Sequence, residues 1–287
     1  MTAIQGAPSQ DSPVGALLQH WRRSRHLSQL ALATEAGISS RHLSFVETGR
    51  ARPSRDMVLL LASTLDVPLR ERNTLLLAAG FAPEYIESRM DAPELDAVRR
   101  ALDAILDQQE PFPAVVMNRH WDIMRTNRAA AHFFGYLLAG QPMGEEGNVL
   151  RLMFHPHGVR PFVANWEAVA ESLVRRVHRE AVGGIKDEVT GKLLEEILGY
   201  PGVPRSWSRR ASALGSPPVP VVPVSFKKGD RTFNFFSTVT TLGTPQDITV
   251  QEIRIECFFP ADRETAERAR ADLARPIRHG SIHPNPS

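Results

Sequence analysis

Residues 27–54, LSQLALATEAGISSRHLSFVETGRARPS, contain two short segments with apolar residues at helical spacing on either side of a central glycine. Ser28 and Ser39 precede these segments and are natural N-caps, because a serine hydroxyl accepts a hydrogen bond from a free backbone N–H of the first turn. Gly37 lies between them, where a tight turn requires a left-handed backbone conformation that glycine adopts at little cost. The stretch therefore predicts two small helices joined by a tight turn.

Flanking residues extend this pattern to a bundle. Val14, Leu18 and Trp21 recur at helical spacing before the stretch. After it, Ser54 is positioned to cap a fourth helix, and a fifth runs from Pro68 to Gly80. We therefore expect an all-α five-helix bundle over residues 14–80, preceded by a flexible arm at residues 1–13.

Arginine is concentrated in this part of the chain. The 287-residue protein has a net charge of only +2, yet the stretch from His20 to Arg55 holds seven arginines against Glu35 and Glu47. A local cationic face on a nearly neutral protein indicates a polyanionic partner for that region alone.

The segment QLALATEAGISSRHLSFVET, residues 29–48, resembles the helix-turn-helix of the XRE, or phage-repressor, family. The Ser–Gln start, the glycine turn, LSFVETGR and the later Pro–Ser pair stand in register with that family. A simple helical hairpin also has small residues where its helices cross. The full spacing and the one-sided arginines favour double-stranded DNA as the partner, read by a homodimer.

The resemblance assigns roles to individual side chains. The outer face of the second helix is expected to read base edges, with Arg41 suited to guanine and Phe45 either touching a thymine methyl or partly buried. Phosphate contacts are expected nearby, and Arg22 and Glu47 match positions that pair internally. The expected base-reading residues are Ser40, Arg41, Ser44, Phe45 and Thr48, and the expected backbone-contacting residues are Gln29, Arg50, Arg52 and Arg55.

The remaining chain predicts a connector, a second domain and a tail. The connector, residues 81–112, contains an amphipathic helix available to lie against a partner subunit. Residues 113–260 show two strands, several helices and three strands, which predicts an α+β domain with a five-stranded antiparallel sheet and helices over one face. The last strand is predicted over residues 248–260, joined to its predecessor by the GTPQD turn. Residues 261–287 form a tail that begins helical.

The strand–helix–strand order of the second domain is PAS-like, and the chain resembles regulators with the MmyB-like ligand-binding domain. The resemblance is carried by residues 52–83, by RHWDIMRTNRAAAHFF at residues 119–134 and by TLGTPQDITVQEIRIECFFPAD at residues 241–262. With the DNA-reading module it spans almost the whole chain. It implies a sensor whose cavity can hold a long-chain fatty acid.

Aromatic side chains are the candidates for the wall of such a cavity, although aromatics at strand and helix spacing are more often core. A carboxylate head group would need a donor at the rim, from Arg125, Arg119, Asn165 or an indole N–H of Trp121 or Trp166. The predicted pocket residues are Trp121, Phe133, Phe134, Phe154, Trp166, Phe235 and Arg125.

Other chemistry finds little support. His155 and His157 have no third ligand close in sequence, so no metal site is expected. Cys257, the single cysteine, lies in an apolar strand and predicts a buried structural thiol. The run SLVRRVHRE, residues 172–180, is interpreted as a solvated helix face. No catalytic spacing, cofactor motif, signal peptide or bilayer-spanning run is evident, which favours a cytoplasmic protein that is not an enzyme.

The sequence therefore predicts a one-component transcriptional regulator that senses a small apolar ligand such as a fatty acid. Ligand is expected to shift the DNA-reading domains through residues 91–110. Two alternatives stay open at this point. In the first, the second domain is a solid-core dimerisation or protein-interaction module. In the second, it is an enzyme with a polar cleft fused to a DNA reader.

Overall fold

The computed structural model describes residues 13–138, 147–182, 187–207 and 223–273. These residues form two compact units. The first comprises the described residues up to Ser88 together with Thr244–Gln251, and the second comprises those from Arg89 to Gly243 and from Glu252 onward. The predicted arm up to residue 12 and the tail from residue 274 lie outside the described residues.

The first unit has the five predicted helices. They are α1 (Pro13–Ser24), α2 (Gln29–Glu35), α3 (Ser40–Glu47), α4 (Arg55–Thr64) and α5 (Leu69–Ala78). The predicted serine caps are confirmed. The hydroxyls of Ser28, Ser39 and Ser54 accept hydrogen bonds of 3.0–3.2 Å from backbone N–H groups three residues later.

Two glycines set how these helices meet. Gly37 has a φ of +67°, which makes the turn between α2 and α3. Gly15 lies where α1 crosses α3, and a Cβ at this position would lie 2.6 Å from the backbone oxygens of both Val46 and Glu47. Closely packed backbones around Gly15 therefore fix the separation of α1 and α3. The core they enclose includes Leu18, Trp21, Leu32, Leu43, Leu61 and Leu75.

The second unit contains the predicted five-stranded antiparallel sheet. Its strands are β1 (Ala114–Met117), β2 (Ile123–Thr126), β3 (Val224–Lys228), β4 (Arg231–Thr240) and β5 (Arg254–Pro260), in the order β2-β1-β5-β4-β3. In this order β5, the last strand along the chain, pairs with β1 on one side and with β4 on the other. The first and last strands thus form the middle of the sheet.

Seven further α-helices have described bounds. Helix α6 (Asp96–Gln109) precedes β1. Four of them lie between β2 and β3, namely α7 (Arg128–Leu137), α8 (Val149–Phe154), α9 (Trp166–Val182) and α10 (Glu188–Gly199). The two later ones are α11 (Ile248–Glu252), whose first four residues belong to the first unit, and α12 (Arg263–Leu273). Helix α12 confirms that the tail begins helical.

The prediction that helices cover one face of the sheet was wrong. Helices α7, α8 and α9 contribute to the apolar cluster on one face, which contains Val115 and Phe258. On the other face, Leu102 and Leu106 of α6 are buried with Val116, Ile255 and Cys257. Because side chains of a strand alternate between faces and both faces are apolar here, each face requires a cover. The apolar side of the connector helix is therefore buried in its own domain and is not free for a partner subunit.

The last predicted strand and its tight hairpin were also wrong. Only Arg254–Pro260 is strand, and Ile248–Glu252 is helix. The carboxylate of Asp247 accepts hydrogen bonds from the N–H groups of Thr249 at 2.8 Å and Val250 at 3.3 Å. This N-cap explains why the β-branched residues that follow begin a helix rather than a strand.

The crossing at Gly15 gives a stability test. We expect Gly15→Ala to lower the free energy of unfolding by about 1–3 kcal/mol, because the added methyl must push backbone aside. Gly135→Ala is the matched control, since a Cβ on this α7 residue has open space around it and replacing a helical glycine is expected to stabilise by about 0.5–1 kcal/mol. Urea unfolding of the full chain measures both, and equal stability of Gly15→Ala and wild type would contradict the close crossing.

Candidate nucleic-acid interface and ligand cavity

The outer face of α3 carries the predicted base-reading side chains. Ser40, Arg41 and Thr48 are exposed and Ser44 and Phe45 are half-buried, as the spacing of three and four residues requires. The inner face buries Leu43 and Val46 in the core. The guanidinium of Arg41 lies 5.4 Å from the centre of the Phe45 ring, so the two side chains stack on the helix surface.

The predicted phosphate contacts fall into two groups. Arg50 and Arg52 follow α3, are exposed, and have no ion pair within the described part of the chain. Arg55 forms an ion pair with Glu84, and the side-chain amide of Gln29 donates to a carboxylate oxygen of Glu47 at 2.8 Å. Arg50 and Arg52 are thus the side chains best placed to meet an anion.

A buried ion pair orients α3, as the resemblance implied for Arg22 and Glu47. Arg22 Nε and Nη2 donate to the two carboxylate oxygens of Glu47 at 2.7 and 2.8 Å, and Arg22 Nη1 donates to the carbonyl of Leu27 at 2.9 Å. Both residues are less than a tenth exposed. Burial alone would raise the pKa of Glu47, but the hydrogen bonds from Arg22 and Gln29 outweigh it and lower that pKa.

The second unit contains a cavity of about 220 Å³ between its sheet and helices α7 to α9. Its apolar wall is formed by side chains from the sheet face that carries Val115 and from all three helices. The apolar lining residues are Val115, Ile123, Phe134, Val149, Leu152, Met153, Val169, Leu173, Val224, Phe226, Val239 and Phe258.

Polar side chains occupy part of the same wall. Glu256 of β5 and Ser237 of β4 point into the cavity, and the Ser237 hydroxyl donates to Glu256 Oε1 at 2.7 Å. Ser172 and Arg176 of α9 also line it. Burial raises the pKa of Glu256, and the Ser237 hydrogen bond and the charge of Arg176 only partly oppose this shift. The cavity is therefore apolar with one carboxyl group at its polar side.

Arg176 is held from outside the cavity. Its Nε donates to Glu180 Oε1 at 3.2 Å, and its guanidinium lies 4.6 Å from the centre of the Trp121 ring. The other carboxylate oxygen of Glu180 accepts from Arg254 at 2.9 Å. Neither Trp121 nor Glu180 lines the cavity, so the charge of Arg176 is largely committed to groups behind the wall.

The predicted pocket residues lie mostly elsewhere. Phe134 lines the cavity. Phe133 and Phe235 are packed ring against ring in the core, with centroids 5.5 Å apart. Trp121 and Phe154 are fully buried in a separate apolar cluster that Trp166 borders.

The predicted rim donors are engaged with protein groups. Arg125 pairs with Asp103, and Arg119 pairs with Asp187 at 2.6 Å and Glu252 at 3.1 Å. Asn165 donates to the carbonyl of Pro223 at 2.7 Å, and the indole of Trp166 donates to the carbonyl of Met153 at 3.0 Å. Buried Trp121 Nε1 has no partner among the described residues, but Trp121 does not line the cavity.

Of the predicted pocket residues only Phe134 lines the cavity, and the lining residues that the sequence analysis missed include both charged ones, Arg176 and Glu256. Arg176 belongs to SLVRRVHRE, and the interpretation of that run as a solvated face was wrong, because Ser172, Leu173 and Arg176 face the cavity. Glu256 had a usable signal, since it is the one acidic residue of the otherwise apolar strand IECFF. A carboxyl group on the covered face of a central strand is costly unless it has a polar partner or a function.

The other candidates are structural. Cys257 is buried against α6, as predicted, and burial raises the pKa of its thiol. His155 ends α8, and its Nδ1 accepts from the N–H of His157 at 3.1 Å within a turn. Across the described ranges there is no group of three or more metal-binding side chains, and none of the helices there is long and apolar enough to span a bilayer.

Comparison with known proteins places this architecture in a family. Residues 98–271, more than half of the chain, match the MmyB-like transcription regulator ligand binding domain, and residues 18–72 match a helix-turn-helix domain. The chain belongs to the MmyB-like transcription regulators. This family comprises regulators of transcription rather than enzymes, and every residue that lines the cavity of this MmyB-like regulator lies within the matched region.

The individual proteins that this MmyB-like regulator resembles match it over part of its length or at low sequence identity. The Bacillus subtilis (strain 168) protein "Uncharacterized HTH-type transcriptional regulator RghRB" is 37% identical over 84 residues, which cover 29% of this chain and 58% of that protein. The chain thus spans little more than half of that relative. A solved RNA-binding light-oxygen-voltage receptor aligns over 91% of this chain and 62% of its own at 13% identity, with a TM-score of 0.26 that supports no conclusion.

The buried ion pair predicts a large and pH-dependent effect on stability. We expect Glu47→Gln to cost about 3–5 kcal/mol, because Arg22 is left buried without a counter-charge. The pKa of Glu47 is lower in the folded than in the unfolded state, so this contribution is present above the unfolded value, about 4.3, and is lost as the pH falls through the folded value.

Denaturant unfolding at pH 7 and at pH 3 measures this effect. The difference between wild type and Glu47→Gln should shrink at the lower pH. Glu35→Gln on the exposed side of α2 is the control and should stay within about 0.5 kcal/mol of wild type. A full pH 7 effect from Glu35→Gln, or none from Glu47→Gln, would contradict the role of the pair.

Proposed function

We propose that this MmyB-like regulator binds a specific DNA operator through the outer face of α3 and that a small apolar ligand in the 220 Å³ cavity changes its affinity for the operator. The observation that carries the proposal is that one chain contains both a helix, α3, with an exposed polar face in one unit and a largely apolar cavity in the other. Such a volume argues against the solid-core alternative, in which no ligand binds.

Operator binding as a homodimer is part of the proposal. One helix-turn-helix unit offers fewer contacts than specific DNA affinity usually requires, and proteins of this type place two units on half-sites about one helical turn apart. The apolar side of α6 is used inside its own domain, so the dimer contact is expected on another surface.

The ligand class rests on the cavity wall and on the family. Aliphatic and phenylalanine side chains make up most of the lining, which suits an acyl chain. A fatty acid is the ligand that the resemblance implies. Scaled from the roughly 150 Å³ apolar cavity that holds benzene, 220 Å³ accommodates about nine non-hydrogen atoms. A short chain fits this space directly, and a long one requires the walls to move.

Coupling between ligand and DNA has a physical carrier in the link between β4 and β5. These strands contribute Ser237, Val239, Glu256 and Phe258 to the cavity, whereas Thr244–Gln251 between them belongs to the first unit. Gln251 accepts from the N–H of Leu69 at 2.7 Å, and Thr249 donates to the carbonyl of Ser88 at 2.7 Å. A ligand that moves the strands would act on this segment through the chain itself, in addition to the expected route through residues 91–110.

Selection of bound sequences from a random DNA library tests the DNA half of the proposal. We expect enrichment of a two-fold symmetric site, and failure to enrich any sequence would refute specific binding. On the selected site, Arg41→Ala should relax base preference at one position and cost about 1–3 kcal/mol. Arg52→Ala should weaken all sequences alike and reduce the salt slope by about one. Equal loss of discrimination in both variants would contradict the assigned roles.

Titration of ligand against the operator complex tests the coupling. We expect saturating 1-octanol, a probe of the right size, to change operator affinity of wild type by about fivefold or more, the usual lower range for coupled sites. Gln251→Ala should bind the probe normally but lose most of this response. Thr240→Ala, an exposed change at the end of β4, is the control. A full response in Gln251→Ala would exclude the β4–β5 link as the carrier.

A further inference from the structure

At the polar side of the cavity, one hydrogen-bond acceptor has no donor from the part of the protein that the structure describes. Ser237 gives its hydroxyl proton to Glu256 Oε1, and no donor is seen for Glu256 Oε2 among the described residues. Glu256 is half-buried and lines the cavity, so its carboxyl group is open to a molecule held there. The cavity thus presents a vacant acceptor to whatever it holds.

The neighbouring cation does not reverse this balance. Arg176 is hydrogen-bonded to Glu180 at 3.2 Å and stacked on Trp121 at 4.6 Å, and both partners lie behind the wall. Arg176 is therefore a positive charge near Glu256, but its guanidinium is already engaged with Glu180 and Trp121 and is not free to bind an anionic ligand. A ligand carboxylate that entered this cavity would lose its hydration and lie beside the carboxyl group of Glu256.

We propose that the cavity selects an uncharged, compact apolar molecule with a hydroxyl group that donates a hydrogen bond to Glu256. This inference rests on the proposed function, since it presumes an apolar ligand in this cavity, and it narrows the ligand class. A hydroxyl can donate to Glu256 whether the carboxyl is ionised or neutral, because both forms have an oxygen lone pair to offer. A ligand carboxylate has no proton to donate, and it can accept a hydrogen bond from Glu256 only when the carboxyl group of Glu256 is neutral.

Size points in the same direction. The volume corresponds to about nine non-hydrogen atoms, which is the size of a medium-chain alcohol or a substituted phenol. Ser172 on α9 also lines the cavity and adds a second polar group for the same hydroxyl. The ligand is therefore short and amphiphilic, with its hydroxyl group at Glu256 and its apolar part against aliphatic and phenylalanine side chains of the wall.

Three probes of matched size test the inference by isothermal titration calorimetry on the full chain at pH 7. They are 1-octanol, heptyl methyl ether, which has the same atoms but no donor, and octanoate. We expect 1-octanol to bind about tenfold or more tighter than the ether, because the ether leaves a buried acceptor unpaired. Octanoate should bind more weakly than 1-octanol.

Variants at the polar side provide the second readout. Glu256→Gln should keep 1-octanol binding within about threefold, because the amide oxygen still accepts, and should improve octanoate binding by removal of the charge. Glu256→Leu should abolish the preference for 1-octanol over the ether. Glu195→Gln, an exposed charge removal on α10, should change none of these affinities. Thermal unfolding of each variant establishes that it is folded.

The outcomes separate this inference from the proposed function. If octanoate binds wild type as tightly as 1-octanol, or if Glu256→Leu keeps the tenfold preference, the hydroxyl selection is refuted although the cavity still takes apolar ligands. If none of the three probes binds, or if binding leaves operator affinity unchanged, the proposed function itself fails. Tighter binding of 1-octanol together with loss of the preference in Glu256→Leu supports both.

Discussion

The guanidinium of Arg22 meets the carboxylate of Glu47 in the interior of the first unit, and the position of α3 depends on this contact. The pair joins α1 to the end of α3, and Gln29 adds the start of α2 to the same carboxylate. Two charges taken out of water repay their desolvation only when the geometry is fixed, so the network tolerates little displacement of α3. Gly15 strengthens this constraint, because it lets the α1 backbone reach the carbonyls beside Glu47.

In the second unit, the corresponding constraint is a sheet covered on both faces. The alternation of β5 places Ile255 and Cys257 against α6 and turns Glu256 and Phe258 toward α7 to α9. A one-residue shift of register would bury Glu256 under α6 and remove the carboxyl group from the cavity. Pairing with β1 on one side and β4 on the other holds this register, which is why a single carboxyl group can remain in an apolar layer at a defined place.

The sequence predicted the local features that depend on neighbouring residues. The serine caps, the Gly37 turn and the five helices of the first unit follow from short-range chemistry and periodicity, and each is confirmed. The cavity wall does not follow from the sequence, because which aromatic side chain faces the cavity depends on how the helices pack over the sheet. Phe133 and Phe235 have the same character as Phe134, yet only Phe134 lines the cavity. The charges of the run SLVRRVHRE indicate a solvated face, but Leu173 and Arg176 of this run line the cavity.

The helix that Asp247 caps bears on the proposed coupling between ligand and DNA. Residues after it have strand propensity, but its carboxylate caps a helix, and the capped segment belongs to the DNA-reading unit. As a result, the chain passes from a cavity strand into that unit and back to a second cavity strand within thirteen residues or so of linker, a length typical of a connection with structure of its own. Linkage then works in both directions. If ligand at Glu256 favours one arrangement of β4 and β5 that the operator complex also favours, bound DNA must tighten ligand binding by the same factor. The coupling that we propose needs no separate signalling domain, because the strands that line the cavity are continuous with the segment that belongs to the first unit.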